Sequence, residues 1–259
     1  MTTLTGRILT DQGWVGGSIQ FGQRVDAIEV ASTPLEGLTI LPGFVDLHVP
    51  GGGGADTLQG AEAVRTLART HASHGTTSLL PSPVTAPEAD LVAALTGIAN
   101  VQERRMPGEA RVLGAHVEGP YLSPAKLGAQ PPFTRLPEPR EMDVLMDLAH
   151  IRVVTLAPEL PGALDLISSL ANQGVRVQLG HSIASYDETV AALEAGAAGF
   201  THLFNAMSGL DHRAPGMVAA TAGCARPNCR AAALSGTLWR SHTACIFRAR
   251  SRTLGVARW

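Results

Sequence analysis

The chain has 259 residues, 45% of them hydrophobic and 16% charged, with a formal net charge of −2. That length suits one large domain or two modest ones, and the composition excludes a disordered or fibrous protein. No apolar run approaches the ~18 residues of a membrane span. Met1 to Thr10 lacks the basic flank and apolar core of a signal peptide, so a soluble, cytoplasmic protein is expected.

Residues 1–42 read as a small β unit, with strands expected over 4–10, 14–21 and 25–30 between polar and glycine turns. From Thr39 the pattern changes to short apolar runs separated by helical stretches, the signature of repeated βα units around a parallel sheet. Strands are expected over 40–49, 77–81, 112–118, 152–157, 175–180 and 199–204, and helices near 61–74, 87–105, 140–149, 162–173 and 185–195. Thr85 with Glu88, and Ser185 with Glu188, have capping-box spacing. The sum predicts an α/β fold: a (β/α) TIM-type barrel over 43–220, behind a small N-terminal β-sandwich portion. Only six of the eight βα steps can be counted, so the barrel reads as incomplete. The glycine run 51–54 reads as a flexible loop at the barrel top.

Residues 221–259 form an atypical basic tail. All 22 acidic residues lie at or before Asp211, whereas the tail holds seven arginines, all three cysteines and two of the three tryptophans. Its arginines alternate with Cys, Trp, Ile and Phe in no helical or strand period, which argues against a nucleic-acid arm. Three cysteines are too few and too late for a disulfide framework.

In a parallel barrel the chemistry sits at the C-terminal ends of the strands. His48, Glu118, His181 and His202 each close an apolar run, and His181 and His202 stand about one βα step apart. Two neutral imidazoles and a carboxylate make a three-ligand set with a position left open for water. A divalent ion there would lower the pKa of bound water to roughly 7 and polarise a substrate carbonyl, which suits hydrolysis.

The segments Leu41-Pro-Gly-Phe-Val-Asp-Leu-His48, Gly75-Thr-Thr-Ser-Leu-Leu-Pro-Ser82, Leu113-Gly-Ala-His-Val-Glu-Gly-Pro-Tyr-Leu122, Leu179-Gly-His-Ser182 and Thr201-His-Leu-Phe-Asn-Ala-Met207 occur in that order. Together they resemble the N-acetylglucosamine-6-phosphate deacetylases of the amidohydrolase superfamily, over residues 1 to about 220. The resemblance implies metal-dependent release of acetate from N-acetylglucosamine 6-phosphate, in amino-sugar catabolism and cell-wall recycling. It implies one divalent metal, zinc, on Glu118, His181 and His202, with His48 a weak ligand or a substrate neighbour. Asn205 and Ala206 match a segment whose backbone approaches the sugar phosphate. Arg213 resembles an arginine that reaches a phosphate across a homodimer interface, and a guanidinium fork suits a phosphate dianion. Ala129 and Gln130 fall in a substrate-binding segment where the family has a histidine in place of Gln130. An amino-sugar phosphate and a second copy of the chain are the expected partners, with no nucleic acid and no membrane.

Two departures stand out. The first-strand His-Xaa-His of two-metal amidohydrolases reads His48-Val49-Pro50 here, and proline cannot ligate. The family's catalytic aspartate after the last barrel strand has no counterpart, since no acid follows Asp211. A shifted reading frame from about residue 221 would account for that loss and for the influx of Arg, Cys and Trp. On this reading the catalytic base is unassigned and the chain as written has little or no turnover. A catalytically impaired remnant of the family, or another amidohydrolase such as a cyclic-amide hydrolase, are the alternatives.

Overall fold

The computed structural model describes residues 1–22, 24–32 and 38–223. The N-terminal sheet contains β1 (Thr2–Thr10), β2 (Gly13–Phe21), β3 (Val25–Val30) and β4 (Leu38–Ile40), in the order β3-β2-β1-β4. The first three strands form an antiparallel meander, and β4 runs parallel to β1. Ile8, Ile19 and Ile40 make its small core. Ile40, expected to open the first barrel strand, therefore belongs to this sheet, where it buries its side chain against two other isoleucines.

The barrel portion begins with β5 (Phe44–Val49). A short hairpin of β6 (Gly51–Gly52) and β7 (Ala55–Asp56) follows, and then β8 (Thr76–Pro81), β9 (Arg111–Val112), β10 (Ala115–Glu118), β11 (Ile151–Leu156), β12 (Arg176–Leu179) and β13 (Gly199–Phe200). β5, β8 and β9 pair in parallel, as do β10 to β13. β9 and β10 are one strand interrupted at Leu113-Gly114. Leu113 N–H still donates to Leu79 of β8, while Ala115 N–H donates to His150 beside β11. Gly114 takes φ +136°, and a Cβ there would lie 2.3 Å from the His150 carbonyl oxygen, so the kink requires glycine. The six expected βα strands are thus present, in two parallel sheets, β5-β8-β9 and β10-β11-β12-β13, that meet at the interrupted strand.

The helices are α1 (Ala61–Ser73), α2 (Glu88–Glu103), α3 (Pro139–Leu148), α4 (Ala163–Asn172), α5 (Tyr186–Ala195) and α6 (Met217–Gly223). They bury apolar faces at helical spacing, as in Ala163, Leu166, Ile167 and Leu170 of α4, against a core that runs from Val49 to Met217. Ser185 and Glu188 form the expected capping box at the start of α5. Thr85 does not cap α2, whose N-cap is Pro87; its hydroxyl turns inward to the Glu118 carbonyl. The glycine run 51–54 is a hairpin packed on α1, with the His71 imidazole against the Gly51 carbonyl, rather than a loose loop. None of the described helices is long and apolar enough to cross a membrane. The basic tail beyond residue 223 lies outside the described residues.

Candidate metal centre

His48, Glu118, His181 and His202 come together at the C-terminal ends of β5, β10, β12 and β13. Glu118 is the last residue of β10, and the two later histidines sit two residues beyond the ends of their strands. Neither His181 nor His202 continues its strand, because both take left-handed backbone, φ 49° and 37°. Phe204 (80°) and Ala206 (52°) do the same, and these four are the non-glycine residues with positive φ among those described. Such backbone costs on the order of 1–3 kcal/mol per residue and persists only where the surroundings impose it. It also explains why β13, expected to reach Phe204, ends at Phe200.

The side chains converge on one point. Glu118 Oε1 lies 3.1 Å from Nε2 of His181 and 3.1 Å from Nε2 of His202, and those two nitrogens are 2.9 Å apart. The centre is buried: Glu118 is 3% exposed and His181 5%. Nδ1 of His181 lies 2.8 Å from the Lys126 carbonyl oxygen, and Nδ1 of His202 lies 3.1 Å from that of Asn205. A carbonyl oxygen only accepts, so each Nδ1 carries the ring proton and each Nε2 presents a lone pair. Two lone pairs and a carboxylate oxygen therefore face one another with no donor between them. Such a cluster is repulsive until a cation occupies it, and its ligand atoms all lie within 4.8 Å of one another. Two imidazole nitrogens and one carboxylate oxygen are the chemistry of a divalent transition-metal site.

The titration of these groups agrees. Burial alone would raise the Glu118 carboxyl, but the three imidazoles around it, His181, His202 and His48, which become donors to it on taking up a proton, outweigh burial and hold the group well below the usual carboxylate range. Burial likewise disfavours a charged His181, yet the Glu118 carboxylate beside it reverses the balance and raises its proton affinity. Both directions report a place that attracts positive charge.

His48 stands apart from the other two imidazoles. Its Nε2 meets the second carboxylate oxygen, Oε2, at 3.0 Å, and no carbonyl holds its buried Nδ1, which has no hydrogen-bond partner. It can therefore donate Nε2–H to Glu118. Below it, His116 is buried between the Leu47 carbonyl oxygen (2.8 Å) and the Thr155 hydroxyl (2.7 Å). Burial, with His48 adding to it, lowers the His116 imidazole to about 3, so it is neutral at physiological pH.

The residues expected on the substrate side lie on the loops after β10 and β13. Gln130 is buried and its Oε1 accepts from Thr85 N–H at 2.8 Å, which ties the loop after β10 to the loop after β8 and leaves the amide NH2 as a donor. Ala129 beside it is exposed, as is Asn205, and Ala206 is half-buried. Arg213 lies farther out on an exposed turn shaped by Asp211, whose Oδ1 accepts from the backbone N–H of Arg213 and Ala214. Sequence reasoning missed Glu159, which grips the residues after His181 through Ser182 and Ile183. The rule that selected Glu118, a polar residue closing an apolar run, would have found it after β11.

Comparison with known proteins places this geometry. The amidohydrolase family model matches residues 39–238. The chain is 43% identical to an N-acetylgalactosamine-6-phosphate deacetylase of Escherichia coli O157:H7, covering 83% of this chain and 59% of the relative. It is 40% identical to an N-acetylglucosamine-6-phosphate deacetylase of Vibrio furnissii, covering 80% and 51%. A solved N-acetyl-D-glucosamine-6-phosphate deacetylase from Mycobacterium smegmatis superposes with a TM-score of 0.76 at 36% identity, covering 86% of this chain and 61% of that one. The chain thus spans between half and about three fifths of these relatives.

Proposed function

The chain belongs to the amidohydrolase family, and from that membership and the three facing acceptors we propose that it holds one divalent ion, zinc, on Glu118, His181 and His202 and supplies the metal and phosphate sides of a site for deacetylating N-acetylglucosamine 6-phosphate, with the catalytic base unassigned and little or no turnover expected of the chain as written. The observation that carries the reading is the 2.9 Å approach of two imidazole nitrogens whose protons are committed elsewhere. Two nitrogens and one oxygen are a catalytic zinc donor set with a position left open. When bound, such an ion supplies Lewis-acid polarisation of a carbonyl and acidifies water.

The chain's own residues divide the remaining work. The Lys126 and Asn205 carbonyls fix the ligand tautomers, and His48, holding Oε2, keeps Oε1 of Glu118 turned toward the imidazoles. The Gln130 amide NH2, with Ala129, Asn205 and Ala206, lines the approach for the sugar, and the Arg213 guanidinium takes the phosphate by a charge-assisted fork. A homodimer fits the same segment: Phe204 and Leu210, which precede Arg213 in the chain, are 69% and 75% exposed, apolar side chains that a second copy would cover.

Calorimetric titration of the zinc-loaded chain with phosphorylated and unphosphorylated N-acetylglucosamine tests the substrate assignment. Arg213→Ala is expected to weaken binding of the phosphorylated sugar by roughly 1.5–3 kcal/mol, the worth of a charge-assisted pair, and to leave the other sugar unchanged. Equal loss for both sugars makes Arg213 structural. No binding of either contradicts the amino-sugar reading and favours another amidohydrolase substrate such as a cyclic amide.

A further inference from the structure

We propose that Glu159, which touches none of the ligands, is a positioning residue for the metal centre, an inference that rests on reading Glu118, His181 and His202 as ligands. Glu159 sits on the turn after β11, where Ala157 N–H donates to the Tyr121 carbonyl and fixes the start of the loop. Its Oε2 accepts from the Ser182 hydroxyl at 2.6 Å and its Oε1 from Ile183 N–H at 2.8 Å. The Ser182 oxygen in turn accepts from Ala184 N–H at 2.9 Å. One carboxylate thereby fixes three consecutive residues immediately after His181, and Ser182 is fully buried.

His181 needs that support. Its backbone is left-handed, φ 49°, which an L-residue adopts only when its neighbours hold it there. The effect reaches the second imidazole too. Ser182 N–H donates to the Ala206 carbonyl at 3.0 Å, and Ala206 is itself left-handed at φ 52°. Asn205, between Ala206 and the turn, accepts from His202 Nδ1 and donates its own N–H to the His202 carbonyl. Glu159 therefore anchors a chain of hydrogen bonds, through Ser182 and Ala206, that aims both Nε2 atoms at Glu118. Partners of this kind that orient ligands typically change metal affinity 10- to 100-fold when removed.

The test is cobalt(II) titration of the metal-free, full 259-residue chain, followed by visible absorption, beside thermal melting of the same metal-free proteins. Glu159→Ala is expected to bind Co²⁺ roughly 10- to 100-fold more weakly, with an altered absorption band and a metal-free melting temperature only a few degrees below the parent. Glu159→Gln, which keeps an oxygen for Ile183 N–H, is expected to recover most of the affinity. Parent-like affinity and band in Glu159→Ala overturn the inference while the metal site stands. If Glu159→Ala fails to fold, Ser182→Ala decides: weaker Co²⁺ binding at unchanged melting supports the positioning role, and unchanged binding overturns it. Should the parent bind no Co²⁺, or His181→Ala bind it equally well, the metal reading falls and this inference with it.

Discussion

Two buried glutamates lie at opposite ends of the same interrupted strand, and their surroundings differ in kind. Glu109, just before β9, is 1% exposed, and Glu118, ending β10, is 3% exposed. Glu109 meets Arg65 Nη1 and Arg69 Nη2 at 3.0 Å each, and accepts from Met106 N–H at 2.8 Å. Its charge is compensated permanently, by groups that hold their protons at any physiological pH. Among the described residues the Glu118 carboxylate meets imidazoles and no guanidinium, and two of those imidazoles turn lone pairs toward it. The first arrangement closes the N-terminal end of the barrel portion and ties α1 to the loop before β9. The second leaves the carboxylate charge at the C-terminal end without a fixed cation beside it, which is what the proposed metal site rests on. Burial of a carboxylate says little by itself; the donors around it decide between a structural clamp and a site.

That contrast can be broken by exchanging the acids. Glu109→Ala strands two guanidiniums around an apolar methyl, and breaking one side of a buried pair costs about 3 kcal/mol. Urea denaturation should show that loss while the zinc content stays at the parent level; loss of metal along with stability would mean the two ends are coupled. Glu118→Gln should act in the opposite direction on the metal-free protein. The glutamine oxygen can still accept from His48, and its NH2 turns toward the two lone pairs, so a gain of about 1 kcal/mol is expected from hydrogen bonds that replace a repulsion. A lower metal-free melting temperature in Glu118→Gln would show that the imidazoles already carry protons facing the acid.

Much of this was legible in the sequence, for identifiable reasons. The βα alternation located all six parallel strands, because a strand buried on both faces leaves an uninterrupted apolar run. His48, Glu118, His181 and His202 were legible because each polar residue closes such a run, where a parallel barrel gathers its chemistry. Ser185 and Glu188 could be read locally, since a capping box involves only neighbouring residues. What escaped depends on tertiary contact. Ile40 has the apolar character of a barrel strand but completes the isoleucine core of the other sheet. Thr85 has cap spacing, yet its hydroxyl is drawn to a carbonyl 33 residues away. Glu159 does close the apolar run of β11, but its partners, Ser182 and Ile183, lie more than twenty residues away and only the fold brings them to it.

The central claim is that Glu118, His181 and His202 jointly hold one divalent ion, and elemental analysis of purified protein equilibrated with zinc tests it most directly. The account predicts about one equivalent of zinc per chain in the parent and almost none in His181→Ala, since two remaining ligands rarely hold the ion against water. Near-full occupancy in His181→Ala would contradict it.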